Sequence, residues 1–134
     1  MAGAAPALEE QDAGVGREEL RRLAEQLGGW VAAGIPRVKM KLGRDPEADP
    51  ARLDAARAAI GDDAELYVDA NGAFEAEEAL AWAHRLRRGW DVSWFEEPVR
   101  WQNDRLDMAA ARSQTGLPIA AGQSEISRSG CRDL

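Results

Sequence analysis

The sequence reads as an α/β fold built on a parallel sheet, and three observations predict it. Four short, apolar, β-prone stretches recur: Val38–Leu42, Leu66–Asp69, Val92–Glu96 and Pro118–Glu125. Polar or charged residues close each of them near a glycine or proline, as where a buried strand delivers side chains to the mouth of a sheet. The polar ends are evenly spaced: Lys41 to Asp69 is 28 residues, Asp69 to Glu96 is 27 and Glu96 to Gln123 is 27. Helical patterns fill the intervals, and strict alternation of strand and helix means parallel pairing with right-handed crossovers.

Met1 to Gly16 is rich in Ala, Gly and acidic residues, without periodicity, and reads as a flexible tail ahead of a domain over residues 17–134. Arg17 to Ala33 is an amphipathic helix with Leu20, Leu23, Ala24, Leu27 and Val31 on one face. Gly34 stops it and Pro36 follows. Arg37 to Gly43 is the first strand: Lys39 and Lys41 share one face, Val38, Met40 and Leu42 the other. The next helix has Asp49 as N-cap, Pro50 at its first position, Gly61 at its end, and Leu53, Ala56 and Ile60 as its buried stripe. Glu65–Asp69 is the second strand. The helix from Glu75 to Arg88 is expected to bury Ala76, Ala79, Leu80, Ala83 and Leu86. Val92–Glu96 is the third strand, halted by Pro98. Asp104–Thr115 is a helix with Leu106, Ala109 and Ala110 inward, Ile119–Ala121 the fourth strand, and Ser127–Leu134 the start of another helix.

With 134 residues, 45% of them hydrophobic and 31% charged, the chain has the balance of one soluble domain with a real core. A net charge of −7 argues against nucleic acid and anionic membrane as partners. The single cysteine, Cys131, excludes an internal disulfide framework and suits a reducing cytoplasm. Neither a transmembrane run nor the pattern of a signal peptide is present, so a cytoplasmic protein is expected. The glycine-rich fingerprints of nucleotide binding are absent too.

Two architectures fit the alternation. Size favours an open doubly wound sheet, because a whole (β/α)8 barrel takes about 250 residues. Chemistry favours part of a barrel, where opposed charges on successive strand ends converge. Asp69 and Glu96, on adjacent strands, are placed to share a hard divalent cation such as Mg²⁺, which takes oxygen ligands. Asn71, two residues after Asp69, points to the same face. Lys41 is the candidate base: burial beside Lys39 or a metal would draw its pKa from about 10.4 toward about 7–8. Each feature alone has a plainer reading, as turn chemistry, a solvated strand exit or a polar strand face, and it is their conjunction that points to a site. His84, mid-helix, reads as surface or packing, and Trp101 follows a strand-end loop where it is able to face a site.

The text Val38-Lys-Met-Lys-Leu-Gly43, Val68-Asp-Ala-Asn-Gly72, Trp94-Phe-Glu-Glu-Pro98 and Ala120-Ala-Gly-Gln123, in this order and spacing, resembles the enolase superfamily, in its mandelate racemase and muconate lactonizing enzyme branch. The resemblance spans Arg17 to Leu134 and implies a partial (β/α)8 TIM barrel, about strands two to five with their helices. It implies Lys41 as general base, Lys39 as the charge that neutralises the substrate carboxylate or helps tune Lys41, Asp69 and Glu96 as the first two Mg²⁺ ligands and Asn71 as a polar neighbour in the site. The family racemises, epimerises, cycloisomerises or dehydrates small carboxylates, and full-length relatives are expected to be homo-oligomers. This sequence is most similar to the acid-sugar dehydratases, so acid sugars or α-hydroxy acids are the implied substrates. Two departures stand out. Gln123 occupies the place of the usual third acidic ligand, with Glu125 two residues on as the alternative. The capping domain and strands six to eight have no counterpart, which predicts a part of a larger enzyme, incomplete as a catalyst alone. A non-catalytic metal-binding remnant and a small α/β ligand-binding domain are the competing readings.

Overall fold

The computed structural model describes residues 16–100 and 104–134, so the expected N-terminal tail up to residue 15, and Trp101, lie outside the described residues. The chain runs α1 (Arg17–Ala32), β1 (Arg37–Lys41), α2 (Asp49–Ile60), β2 (Glu65–Asp69), α3 (Ala76–Trp90), β3 (Val92–Glu96), α4 (Asp104–Thr115), β4 (Ile119–Ala120) and α5 (Arg128–Asp133). The four strands form one parallel sheet in chain order. It is an arc of successive β/α units with the helices on one side, a partial (β/α)8 barrel. No described helix is long and apolar enough to cross a membrane.

The core lies between sheet and helices. Val38, Met40, Leu66, Val68 and Phe95 point outward from the arc and are buried against Leu53, Ala56, Ile60, Ala79, Ala83 and Leu86 of the helices. Alternation does this in β1 and β2, and in β3 from Trp94 on, after a register irregularity that follows Val92, leaving Lys39, Lys41, Tyr67, Asp69 and Trp94 for the other face. Tyr67 and Trp94 stack there at 4.8 Å between ring centroids. The register aligns Lys41 with Asp69, Asp69 with Glu96, and Glu96 with Ala120, so the polar ends form one layer.

Three expectations shift. Asp49 is not a cap but the first residue of α2, after Ala48, and it is wholly buried. Its carboxylate accepts from the Gly43 N–H at 2.6 Å and from Arg52 Nη1 at 2.8 Å, and the same Arg52 nitrogen donates to the Lys41 carbonyl at 3.0 Å. The pair ties the exit of β1 to the start of α2. Ala76 is exposed and Trp82 takes its place in the core, stacked on Phe74 at 5.7 Å. In α4 the buried stripe is Met108, Ala111 and Thr115, while Leu106 is 80% exposed. Residues two apart are about 200° apart on a helix, so once Met108 faces inward Leu106 faces solvent.

At the opposite end of the sheet Arg57 donates to the backbone carbonyls of Gly61, Ala64, Trp90 and Asp91, joining the approaches to β2 and β3. Asp49→Ala strands a backbone N–H and uncouples a mostly buried guanidinium. It is expected to lower stability by about 2–4 kcal/mol. A falling urea midpoint at constant m-value measures this, and an unchanged midpoint refutes the role given to Asp49.

Candidate active site at the carboxyl ends of the strands

The residues singled out in the sequence meet on the inner face, at the carboxyl ends of β1 to β4. Lys41 leaves the last position of β1, and its Nζ donates to Asp69 Oδ2 and to Asn71 Oδ1, both at 2.6 Å. Lys39, one step back on the same face, donates to Glu96 Oε2 at 2.5 Å and lies 3.6 Å from Asp69 Oδ2. Asp69 is 1% exposed, and its second oxygen accepts from the Asn71 backbone N–H at 3.0 Å. Asn71 takes a positive φ of 48°, which folds the chain back over the Asp69 carboxylate. The Asn71 amide then donates to Gln123 Oε1 at 2.9 Å, bringing the end of β4 into the same network.

Glu125 goes elsewhere. The Glu125 carboxylate lies against Gly130 of α5, in the space that an added Cβ there would take. Among the described residues no group of three or more His, Cys, Asp or Glu gathers to hold a metal ion. The acidic pair is Asp69 and Glu96, and both take lysine ammonium groups here. Lys39 Nζ contacts both carboxylates, so one cation reaches the two together. Two carboxylates, with the Asn71 amide oxygen on the same lysine as Asp69, are oxygen donors of the kind Mg²⁺ takes.

Lys41 departs from expectation in one respect. Of the two influences considered for it, burial or a metal, the first is weak: its side chain is 60% exposed, because the inner face of the four-stranded arc is open to solvent. His84 lies half-buried on α3, away from the site.

Glu97 is the functional residue that sequence reasoning passed over. It follows Glu96, has a positive φ of 47°, and is 4% exposed. Its Oε1 accepts from the backbone N–H groups of Gly122 and Gln123 at 2.9 and 3.0 Å, fixing the loop that carries Gln123. The Glu-Glu-Pro run signalled it: strand alternation sends only one of two adjacent carboxylates inward, so the second needs its own partner.

The electrostatics follow from these contacts. The Glu96 hydrogen bond holds the Lys39 ammonium above its ordinary 10.5, against the opposing pull of partial burial and with the help of the Asp69 charge. Burial raises the Asp69 carboxyl, but the Lys41 hydrogen bond, the Asn71 N–H and the two lysine charges together bring it below its ordinary 3.8.

With this geometry established, residues 19–134 match the enolase C-terminal domain-like family. The chain belongs to the enolase superfamily, in its mandelate racemase/muconate lactonizing enzyme branch. It is 33% identical over 114 residues to the arabinonate dehydratase of Saccharolobus solfataricus, covering 84% of this chain and 30% of the relative. Other relatives are cycloisomerases, a racemase and epimerases. Among solved structures, a mandelate racemase/muconate lactonizing enzyme-like protein from Rubrobacter xylanophilus superimposes with a TM-score of 0.81 at 53% identity, over 86% of this chain and 32% of that one. A mandelate racemase/muconate lactonizing enzyme from a marine actinobacterium, in complex with magnesium, gives a TM-score of 0.74 at 40% identity, over 83% and 31%. The chain thus spans about a third of the length of these relatives.

A depressed carboxyl stabilises the fold above its unfolded pKa and loses that contribution as pH falls through the folded value. A raised lysine contributes below its unfolded pKa and loses that as pH rises through the folded one. The metal-free chain is therefore expected to lose stability below about pH 4 through Asp69, and above about pH 10.5 through Lys39. Asp69→Asn should flatten the acid limb of a plot of urea midpoint against pH. Superimposable acid limbs in the two proteins contradict the pairing.

Proposed function

We propose that this chain carries the base-and-metal side of a site that removes the α-proton of a small carboxylate, an acid sugar or an α-hydroxy acid. One observation carries the reading: two lysines and two carboxylates interleave on one face, at the ends of three consecutive parallel strands. The family and its acid-sugar relatives support the substrate class.

Asp69 and Glu96 are the residues proposed to hold Mg²⁺, with Gln123 as the third oxygen donor; its hydrogen bond to Asn71 favours it over Glu125. The cation, when bound, stabilises the negative charge that appears on the substrate as its α-proton leaves. Lys41 takes that proton at Nζ, and must hold no extra proton of its own to do so. Asn71 orients Lys41 by accepting from it. Lys39 supplies positive charge beside the substrate carboxylate. In a (β/α)8 enzyme the reacting groups come from strand ends around the ring, and the matched span is about a third of the relatives. The chain is therefore proposed as one part of the catalyst, with full turnover depending on groups it does not supply. Orientation alone is worth about 7–11 kcal/mol of barrier. The lone cysteine fits a cytoplasmic setting for such an enzyme.

Calorimetry tests the metal: Asp69→Asn is expected to abolish Mg²⁺ binding and Glu125→Gln to leave it intact. Retained affinity in Asp69→Asn overturns the metal assignment.

Proton exchange tests the chemistry. With Mg²⁺ and an acid sugar in D₂O, the chain should show slow α-proton exchange without dehydratase or racemase turnover. Lys41→Ala should reduce exchange by about 10²–10⁴-fold. Exchange at the parental rate in Lys41→Ala removes Lys41 from the role of base.

A further inference from the structure

Beside Lys41 the site opens into a cleft of about 830 Å³. Its walls come from the end of β1 and the loop after it, the start of α2, the loop after β2 and the first turn of α1. Five charged residues line it: Glu19, Lys41, Arg44, Asp45 and Arg52. Four of them are engaged. Lys41 is held by Asp69 and Asn71. Arg52 is held by Asp49 and the Lys41 carbonyl, and Glu19 faces Arg52 at 3.6 Å. Asp45 turns back on its own loop, where its carboxylate accepts from the Ala48 N–H at 3.4 Å. Arg44 is exposed and has no hydrogen-bond or ion-pair partner among the described residues.

A substrate whose reacting carboxylate sits beside Lys39, with its α-carbon at Lys41, has this cleft open beside it, and Arg44 stands in the cleft wall. A guanidinium presents a planar fork of donors that matches a carboxylate. Neither acidic wall residue competes strongly for it, because Glu19 and Asp45 are already turned to other partners. We infer that Arg44 receives a second anionic group at the far end of the substrate, which makes the substrate class a diacid, a sugar with a carboxylate at each end. This rests on the reading that Lys41 takes the α-proton of a substrate whose reacting carboxylate lies beside Lys39. It adds the far end and its charge.

The experiment compares two probes of one carbon skeleton: galactarate, with two terminal carboxylates, and galactonate, with one. Each is titrated into the full 134-residue chain with saturating Mg²⁺ and followed by calorimetry. Galactarate is expected to bind about fivefold more tightly, the size of one partly exposed ion pair. In Arg44→Ala the ratio should collapse to about one, and in Arg44→Lys part of it should return. Circular dichroism checks that both variants keep the parental fold. Lys39→Ala should weaken both probes, which tests the underlying reading separately. If Lys39→Ala weakens both probes but the ratio survives in Arg44→Ala, or is absent in the parent, the diacid inference is wrong and the function stands. If neither probe binds the parent, both fall.

Discussion

The structure turns on the charge of Asp69. A carboxylate 1% exposed at the end of a central strand is costly unless cations and N–H donors surround it. The neighbouring strand supplies the cations, because the β1–β2 register sets Lys41 directly opposite Asp69 with Lys39 on the same face. The turn supplies the donor, through the left-handed backbone of Asn71. Sheet register and loop conformation are thus both answerable to one oxygen-bearing group. A one-residue slip of β1 would send both lysines to the helix side and leave Asp69 without either.

The two glutamates after β3 divide the remaining work. Glu96 keeps the phase of the strand and turns inward to Lys39. Glu97 breaks that phase, and its carboxylate accepts from two backbone N–H groups of the loop after β4. Lys41, Asp69, Asn71 and Gln123 consequently form a connected chain of hydrogen bonds across the strand ends, while the loop bearing Gln123 is held from below by a buried charge. A mobile loop would leave the amide free to swing, and Glu97 removes that freedom at its base.

Much of this was legible in the residues themselves. Period-two alternation over Val38 to Leu42 and Leu66 to Asp69 determines which side chains meet, and even spacing puts them at one end, so Lys39, Lys41, Asp69, Glu96 and Asn71 came together as expected. What could not be read was where a side chain goes once it has a choice. Asp49 at a helix start looks like a cap, but the nearby Gly43 N–H and Arg52 offered it a buried pairing instead. Leu106 and Met108 are both good core residues two positions apart, and only the docking of α4 selects between them. The openness of Lys41 depends on what stands across the sheet, which local sequence does not encode.

The loops after β1 and β2 touch at Gly43, whose φ is +87° and where a Cβ would come within 2.5 Å of the Ala73 Cβ and 3.2 Å of the Phe74 ring. Both loops form the wall of the cleft. Such tightness makes them one evolutionary unit: a larger residue in either must be met by a smaller one, or a shifted backbone, in the other. Grafting a loop from a relative to change substrate preference would therefore succeed only when the two are exchanged as a pair, and drift at this wall should leave correlated rather than independent changes.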